Sequence, residues 1–334
     1  MKIIVPMAGR GSRLRPHTLT IPKPLVPIAG KSIVERLVSD IADVCQEKIE
    51  EVAFIIGDFG NEVKEDLMEI AKTIGAKGFV YEQEEALGTA HAILCAKERM
   101  EGKVIVAFAD TLFRADFTLD ESQDGIIWVQ HVENPEAYGV VKLNGEGYIS
   151  EFIEKPSEFV SNEAIIGIYY FKDGAGLRSE LQYLIDNDIR ENGEYQITNA
   201  LENLKNKGAK LITGAVTEWL DCGNPKAAIY ANQRMLAMGA DKFSKKPASL
   251  VLKNAHVIEP CFFGENVVLE NTTVGPHVSL GENSVVKNSV IKNSLIQNNT
   301  LIENAILENS MIGNHVCYKG NSTAVNIGDY CTFE

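Results

Sequence analysis

From residue 1 to about 240, short apolar runs alternate with amphipathic stretches. Residues 2–6 (KIIVP), 52–56 (VAFII), 78–81 (GFVY) and 104–108 (VIVAF) have the continuous apolar character of buried strands. Residues 33–44, 61–74 and 88–99 carry the wider spacing of helices. Alternating strands and helices predict an α/β fold, with a mostly parallel sheet covered by helices on both faces. Ligands of such sheets bind beyond the carboxyl ends of the strands.

A charged stretch of low periodicity, 241–247 (DKFSKKP), reads as the core of a linker spanning 241–249. Beyond it the texture changes. The units ENSVV, KNSVI, KNSLI, ENAIL and ENSMI follow one another, and Asn283, Asn288, Asn293, Asn298, Asn304, Asn309 and Asn314 recur every five or six residues. A helix needs a period near 3.6, so this pattern excludes one. It predicts a solenoid of very short strands in which each coil covers the next. Asn suits the tight corners because it tolerates the left-handed backbone region. Fragments such as VGPHVSLGENSVV and IGDYCTF carry the hexad of left-handed parallel β-helices, so residues 250–334 are expected to form one. The alternative, a disordered tail, conflicts with so regular an apolar content.

The net charge of −14 argues against a nucleic-acid or anionic-membrane partner, since each favours a basic face. Locally the balance inverts. No Asp or Glu occurs before Glu35, whereas Lys2, Arg10, Arg13, Arg15, Lys23 and Lys31 all do. A cationic island in an acidic chain fits a small anionic ligand such as a polyphosphate; chance clustering is the alternative. Six scattered cysteines include no C-x-x-C pair, so a zinc or redox motif is unsupported. The first residues read as strand and loop, not as a signal peptide, and no apolar run reaches transmembrane length. These features point to a cytoplasmic protein with reduced thiols.

The island coincides with a loop after the first strand, MAGRGSRLRPHTLTIPKPL. Gly9 and Gly11 let backbone approach phosphates and aim N–H groups at them. Arg13 and Lys23 can neutralise charge that builds on phosphates during transfer. The loop is neither a Walker motif, lacking G-K-[ST], nor a Rossmann fingerprint, since Arg13 follows where a third glycine is needed. A plain tight turn is the alternative for the two glycines alone.

G-x-G-x-R-L-x-P followed by P-K-P-L resembles the signature of the sugar nucleotidylyltransferases. Other landmarks of that family follow in order. YEQEEALGTA (81–90) resembles its base-recognition segment, FADTLF (108–113) its first metal-binding Asp, YGVV (138–141) and FIEKP (152–156) its sugar and sugar-phosphate motifs, and WLDCG (219–223) its second metal-binding Asp. The resemblance covers nearly the whole chain and extends to the trailing β-helix. It departs at Ala109, where the family has Gly, at Thr111, where many thymidylyltransferases have Asn, and at Met7–Ala8, where a double glycine is commoner.

The resemblance implies a Rossmann-like nucleotidyltransferase domain over 1–240, followed by the linker and the β-helix. It places the nucleotide on Ala8, Gly9, Gly11, Arg13, Gln83, Gly88 and Thr89, and the sugar phosphate on Gly139, Glu154, Lys155 and Glu194. Arg13, Lys23, Asp110 and Asp221 become the catalytic set, with Asp110 and Asp221 holding Mg²⁺. Two strand-end carboxylates suit a hard ion that takes its other ligands from phosphate. Several of these residues also have a plainer alternative: a helix cap or turn for the aspartates, an exposed ion pair for Glu154 and Lys155, a hairpin for Gly139, a solvated loop for Gln83, and a helix N-terminus for Glu194. The histidines (17, 91, 131, 256, 277 and 315) show no metal spacing and read as structural or surface residues.

The implied reaction joins a nucleoside triphosphate to a hexose-1-phosphate. QEEALGTAHA is similar to enzymes that accept dTTP or UTP, and the layout resembles the long-form glucose-1-phosphate thymidylyltransferases. A GTP-dependent mannose-1-phosphate guanylyltransferase is the competing reading. Two further alternatives are a β-helix acyltransferase and a non-catalytic regulatory subunit. A flat β-helix face also leads us to expect a homo-oligomer.

Overall fold

A computed structural model of the chain describes residues 1–9, 11–114, 118–240, 245–320 and 324–333. Arg10 of the cationic island and residues 241–244 of the expected linker lie outside the described residues. Internal contacts divide the chain into two compact units: Met1–Gly9 with Glu35–Trp219, and Arg10–Val34 with Leu220–Glu334.

The first unit is built on a nine-stranded sheet. Ile3, Ile4 and Val5 of the strand Lys2–Pro6 are all fully buried, as expected of a strand covered on both faces. That strand pairs in parallel with Glu51–Ile56 on one side and Val104–Ala107 on the other, and Lys77–Glu82 extends the parallel set beyond Glu51–Ile56. Glu163–Phe171 then runs antiparallel to Val104–Ala107 and carries Gly125–His131 and Val140–Leu143. Leu211–Ala215 joins Gly125–His131 in parallel, and Ile149–Ile153 joins Val140–Leu143 antiparallel. Against Lys2–Pro6, only Glu163–Phe171 and Ile149–Ile153 of this sheet are reversed, so the sheet is mostly parallel.

Helices of this unit bury one stripe each. In Gly174–Asp186 the stripe is Leu177, Leu181 and Leu184, at the i, i+4, i+7 spacing of a single face. In Ile197–Asn206 it is Ile197, Ala200 and Leu201. Both stripes enter the core that also holds Ile4, Val106, Ile127 and Phe171. The helix expected over 88–99 is shorter: Thr89–Leu94, then a 3-10 turn Lys97–Arg99. Gly88 stands at φ 112°, outside helical space, and the Ala96 N–H donates to the Ile93 carbonyl, which tightens the far end.

The second unit contains the β-helix. Val268–Val274 pairs in parallel with Val285–Lys287 and Val290–Lys292, which pair in turn with Leu301–Glu303 and Ile306–Glu308. A second face stacks Cys261–Phe263, Val278–Leu280, Leu295–Ile296, Met311–Ile312 and Asn326–Ile327. Equivalent residues advance by 17 and then 16 positions. The Asn spacing in the sequence is therefore one side of a coil, not a whole coil. Val286, Ile302 and Tyr318 stack inside, all fully buried.

Most corners are Asn in the left-handed region, with φ between 41° and 59°; His277, His315 and Tyr330 take the same conformation. The Asn amides form ladders: Asn254 donates to Asn271 at 2.9 Å, Asn271 to Asn288 at 3.3 Å, and Asn288 to Asn304 at 3.2 Å. Asn298 and Asn314 differ from the expectation. The corner residues there are Asn299 and His315, while Asn298 and Asn314 accept the backbone N–H of Glu282 and Asn298, each at 3.0 Å.

The segment after the first strand belongs to this second unit. It forms 3-10 turns at Ser12–Leu14 and Lys23–Leu25 and a small hairpin, Pro27–Ile28 with Lys31–Ser32. The helix Pro225–Met238 starts on an Asn224 cap that accepts the Ala227 N–H at 3.0 Å. Its fully buried Asn232 accepts from the Ala29 N–H at 2.9 Å and the Ser279 hydroxyl at 2.6 Å. One amide oxygen thus ties the hairpin and a β-helix coil to the helix. Among the described residues, no helix is long and apolar enough to cross a membrane.

Candidate active site

Lys2–Pro6, Lys77–Glu82 and Val104–Ala107 run parallel, so the chain leaves all three at one edge of the sheet. That edge carries Ala8 and Gly9, then Gln83, then Asp110. The Met7 N–H donates to the Ile55 carbonyl at 2.8 Å, which fixes the start of the first loop. Among the described residues, its chain neighbours apart, no atom lies within 4 Å of the place a Cβ on Gly9 would occupy.

Gln83 is held by its main-chain N–H on the Ile56 carbonyl. Its side-chain nitrogen donates to the Gly88 carbonyl at 3.2 Å and to His91 Nδ1 at 3.1 Å. His91 then accepts at Nδ1 and carries its hydrogen on Nε2. The Gln83 nitrogen is used by the protein, which turns its oxygen to the role of acceptor. Gly88 makes this possible by close approach. A Cβ there would stand 2.5 Å from the Tyr195 carbonyl oxygen, 2.7 Å from the Tyr195 nitrogen and 2.9 Å from Glu194 Cβ. The Ala90 N–H donates to Tyr195 O, and the Tyr195 N–H to Leu87 O. Thr89 Oγ1 accepts the Ile197 N–H at 2.9 Å and donates to Gln196 Oε1 at 3.1 Å. Gln83, Gly88 and Thr89 therefore form one assembly with Glu194, which is distant from them in sequence.

A second assembly surrounds Glu154. A Cβ on Gly139 would stand 3.1 Å from Glu154 Oε2 and 3.4 Å from both Ile165 and Thr198 side chains. Thr198 Oγ1 donates to Glu154 Oε2 at 3.4 Å, and Lys155 Nζ lies 3.6 Å from Glu154 Oε1. Lys155 is held at φ 41°, a strained region for a residue with a Cβ. Glu191 exchanges two backbone hydrogen bonds with Glu194. Burial first, and then the Glu154 carboxylate, push the Glu191 carboxyl above its usual range; Lys155 pulls it back. Tyr169 is buried, and burial raises its phenol far above the usual value, with Glu154 and Asp110 adding to the effect. Asp110 and Glu154 thus act on the same buried phenol. Thr111 turns the other way: it is buried, and its hydroxyl donates to the Ile166 carbonyl at 3.1 Å.

Gly11, Arg13, Lys23 and Asp221 lie in the second unit. Gly11 is left-handed at φ 61°, and a Cβ on it would stand 2.7 Å from Lys23 Cβ. Its carbonyl accepts from the Leu14 N–H at 3.0 Å and the Thr18 hydroxyl at 2.8 Å. Arg13 is exposed on the 3-10 turn that follows, whereas Lys23 is buried. Asp221 ends the strand Glu218–Asp221, and Gly223 lets the loop fold back on its carboxylate. Among the described residues, no three His, Cys, Asp or Glu side chains form a metal cage. The carboxylates of Asp110 and Asp221 are hard oxygen donors of the kind Mg²⁺ combines with phosphate and water.

His91, Tyr195, Gln196, Glu191, Thr198 and Tyr169 were not singled out as site residues by the sequence. His91 left a signal: it falls three residues after Gly88, one helical turn on. The others come from segments whose approach depends on tertiary packing.

A sequence profile of the nucleotidyl transferase family matches residues 2–238. The chain is 33% identical over 254 residues to the low-salt glycan biosynthesis nucleotidyltransferase Agl11 of Haloferax volcanii, covering 74% of this chain and 68% of that protein. It is 31% identical over 261 residues to the bifunctional protein GlmU of Methanococcus maripaludis, covering 77% of this chain but only 60% of that relative's length. A glucose-1-phosphate thymidylyltransferase of Streptomyces antibioticus is 28% identical over 305 residues, covering 85% of this chain and 83% of that protein. The fold also matches a solved UDP-glucose pyrophosphorylase in complex with UDP-glucose, with TM-score 0.60, 24% identity, and coverage of 71% of this chain and 98% of the other.

Proposed function

The chain belongs to the nucleotidyl transferase family, and on that footing we propose that it joins dTTP or UTP to glucose-1-phosphate and releases pyrophosphate. The Gln83 assembly carries this reading. With its nitrogen engaged by Gly88 and His91, Gln83 offers an oxygen acceptor. Thymine and uracil carry an imide N–H that such an acceptor would bind, and guanine carries an equivalent N1–H; cytosine N3 and adenine N1 are themselves acceptors. The thymidylyltransferase relative, matched over most of both chains, supports the same assignment.

In this mechanism an oxygen of the sugar phosphate attacks the α-phosphorus, and pyrophosphate departs in line. The attacking group is already an anion, so no side-chain nucleophile is needed. Positioning and electrostatic stabilisation do the catalysis. We assign the β/γ phosphates to Arg13 and to the backbone around Ala8, Gly9 and Gly11, and the α-phosphate to Lys23. Lys155 fixes the incoming phosphate. Glu154 accepts hydrogen bonds from sugar hydroxyls, Gly139 leaves room for the ring, and Glu194 supports both assemblies through Gly88 and Glu191. We assign Mg²⁺ to Asp110 and Asp221; when bound it supplies charge neutralisation on the phosphates. The same reading places the enzyme in the cytoplasm, as a homo-oligomer with a self-associating β-helix face.

Pyrophosphate release tests the proposal. Purified protein with Mg²⁺ is offered dTTP, UTP, GTP, ATP and CTP against glucose-, mannose-, galactose- and N-acetylglucosamine-1-phosphate. Turnover of dTTP or UTP with glucose-1-phosphate is expected. A preference for GTP with mannose-1-phosphate would replace the substrate assignment. Nucleotide binding without turnover on any pair would point to a regulatory subunit.

A further inference from the structure

Three residues between Arg13 and Lys23 rest on the final coil of the β-helix, within the second unit. His17 is fully buried and, although it is 309 positions away in sequence, its Nε2 lies 2.6 Å from Asn326 Oδ1. The oxygen accepts, so Nε2 carries the hydrogen. Thr20 donates its hydroxyl to Asp329 Oδ2. Pro16 packs on Gly328 so closely that a Cβ there would stand 2.7 Å from Pro16 Cβ.

The coil is modified at the point of contact. In the two preceding coils, Asn298 and Asn314 accept a backbone N–H from the coil before. Asp329 continues that series with Oδ1, which accepts from the Asn314 N–H. A carboxylate has a second accepting oxygen where an amide has a donor. That extra oxygen is the one on Thr20.

The contacts are passed on inside the segment. Thr18, next to His17, donates to the Gly11 carbonyl, which also receives the Leu14 N–H. Gly11 in turn sits against the Lys23 stem. A shift of residues 16–20 therefore moves the backbone assigned to phosphate and the lysine packed on it.

We infer that Asn326, Gly328 and Asp329 are positioning residues, by which the final coil of the β-helix holds the loop of Gly11, Arg13 and Lys23 in the shape that takes the triphosphate. This rests on the nucleotidyl-transfer reading above, and it gives the β-helix a role in the reaction within its own chain.

The test uses the full chain, with the double variant Asn326→Ala/Asp329→Ala and the single variant Asn326→Asp, which keeps an accepting oxygen for His17. Three quantities are measured: amide hydrogen exchange, initial rates with each substrate varied, and binding of inorganic tripolyphosphate by calorimetry. In the double variant we expect faster exchange over 11–26 with protection retained over 261–312. We also expect kcat/KM for the triphosphate to fall about tenfold, the scale of a loop displaced by a fraction of an ångström. KM for the sugar phosphate stays unchanged, and Asn326→Asp behaves as wild type. Wild-type exchange and rates in the double variant would overturn the inference. So would loss of protection spread evenly through the coils, since that marks a purely structural role. If the wild type itself turns over no substrate pair, the function reading fails separately, and tripolyphosphate decides: weaker binding by the double variant sustains the inference, equal binding overturns it.

Discussion

Gly88→Ala separates geometry from chemistry, because Gly88 contributes no side chain. The added methyl meets the Tyr195 carbonyl oxygen at 2.5 Å, whereas ordinary contact begins at 3.4 Å. One strand of backbone must therefore retreat by about 0.9 Å, the gap between those two distances. Neither obstacle is a flexible side-chain end; the nearest two are main-chain atoms. Two hydrogen bonds lie across the same junction, Ala90 to Tyr195 and Tyr195 to Leu87, at about 1 kcal/mol each. Holding alanine at φ +112° costs about 1–2 kcal/mol more. Local destabilisation of about 3–4 kcal/mol follows from these parts. The displaced residues include the carbonyl that orients Gln83. A misplacement near 1 Å costs about a hundredfold in rate, or about 2.7 kcal/mol in the barrier. Two controls isolate the cause. Gly60 has φ +82° and, among the described residues beyond its chain neighbours, no atom within 4 Å of an added Cβ, so Gly60→Ala carries backbone strain without a clash. Gly145 has neither, so Gly145→Ala should be silent. Steady-state pyrophosphate release should show the hundredfold loss in kcat/KM for the nucleotide in Gly88→Ala alone. Equal losses in Gly88→Ala and Gly60→Ala, or no loss in Gly88→Ala, would refute the reasoning.

Asp110→Asn keeps the side-chain volume and removes the charge; kcat should fall about a hundredfold or more with an unchanged melting temperature, and near-normal turnover would remove Asp110 from the metal site. Glu154→Gln should raise KM for the sugar phosphate about tenfold and leave KM for the nucleotide alone, which initial rates with each substrate varied will show. Stability should also fall with acidity. Burial holds His17 below its ordinary pKa of 6.5, against smaller opposing effects of Asn326 and Asp329. Below about 6.5 the unfolded chain binds a proton that the folded state resists, so this contribution is complete above that pH and is lost as pH drops beneath it. Urea midpoints at pH 7.5 and 5.5 should separate more in the wild type than in His17→Asn; equal separations would show that His17 does not titrate this way.

The strands of the parallel core were legible because an apolar run covered on both faces leaves an unbroken trace, as in KIIVP and VIVAF. The β-helix was legible because Asn recurs at most sides of its central coils. Its coil length was not, since all the sides look alike. That length is written in sparser marks: Gly264, Gly281, Gly313 and Gly328, where a Cβ would press on the next coil or the loop it meets. Asn298 and Asn314 show the same limit, because a one-residue offset from corner to cap does not alter the spacing. The Gln83 and Glu154 assemblies divide in the same manner. Their members on named motifs were read as candidates from the sequence, whereas Glu191, Tyr195 and Thr198 enter only because helix and sheet pack around Gly88 and Gly139. Such approaches are set by the tertiary fold and leave no periodic signal.

The two departures near Asp110 then acquire a physical meaning. Ala109 is buried and does not stand at positive φ, so its methyl is accommodated where the resemblance expects glycine. Thr111 is committed to the sheet through the Ile166 carbonyl. A residue whose polar atom already serves the backbone contributes little to discrimination between nucleotides. On the proposed reaction, base choice therefore falls to Gln83 and to the His91 and Gly88 contacts that orient its amide. Exchange at position 111 to Asn would then alter packing more than substrate preference, whereas Gln83→Glu, which replaces the donating nitrogen by an oxygen facing the Gly88 carbonyl, would turn the group away from the base. The nucleotide profile should follow position 83, and a profile that followed position 111 would place recognition on the other side of the sheet edge.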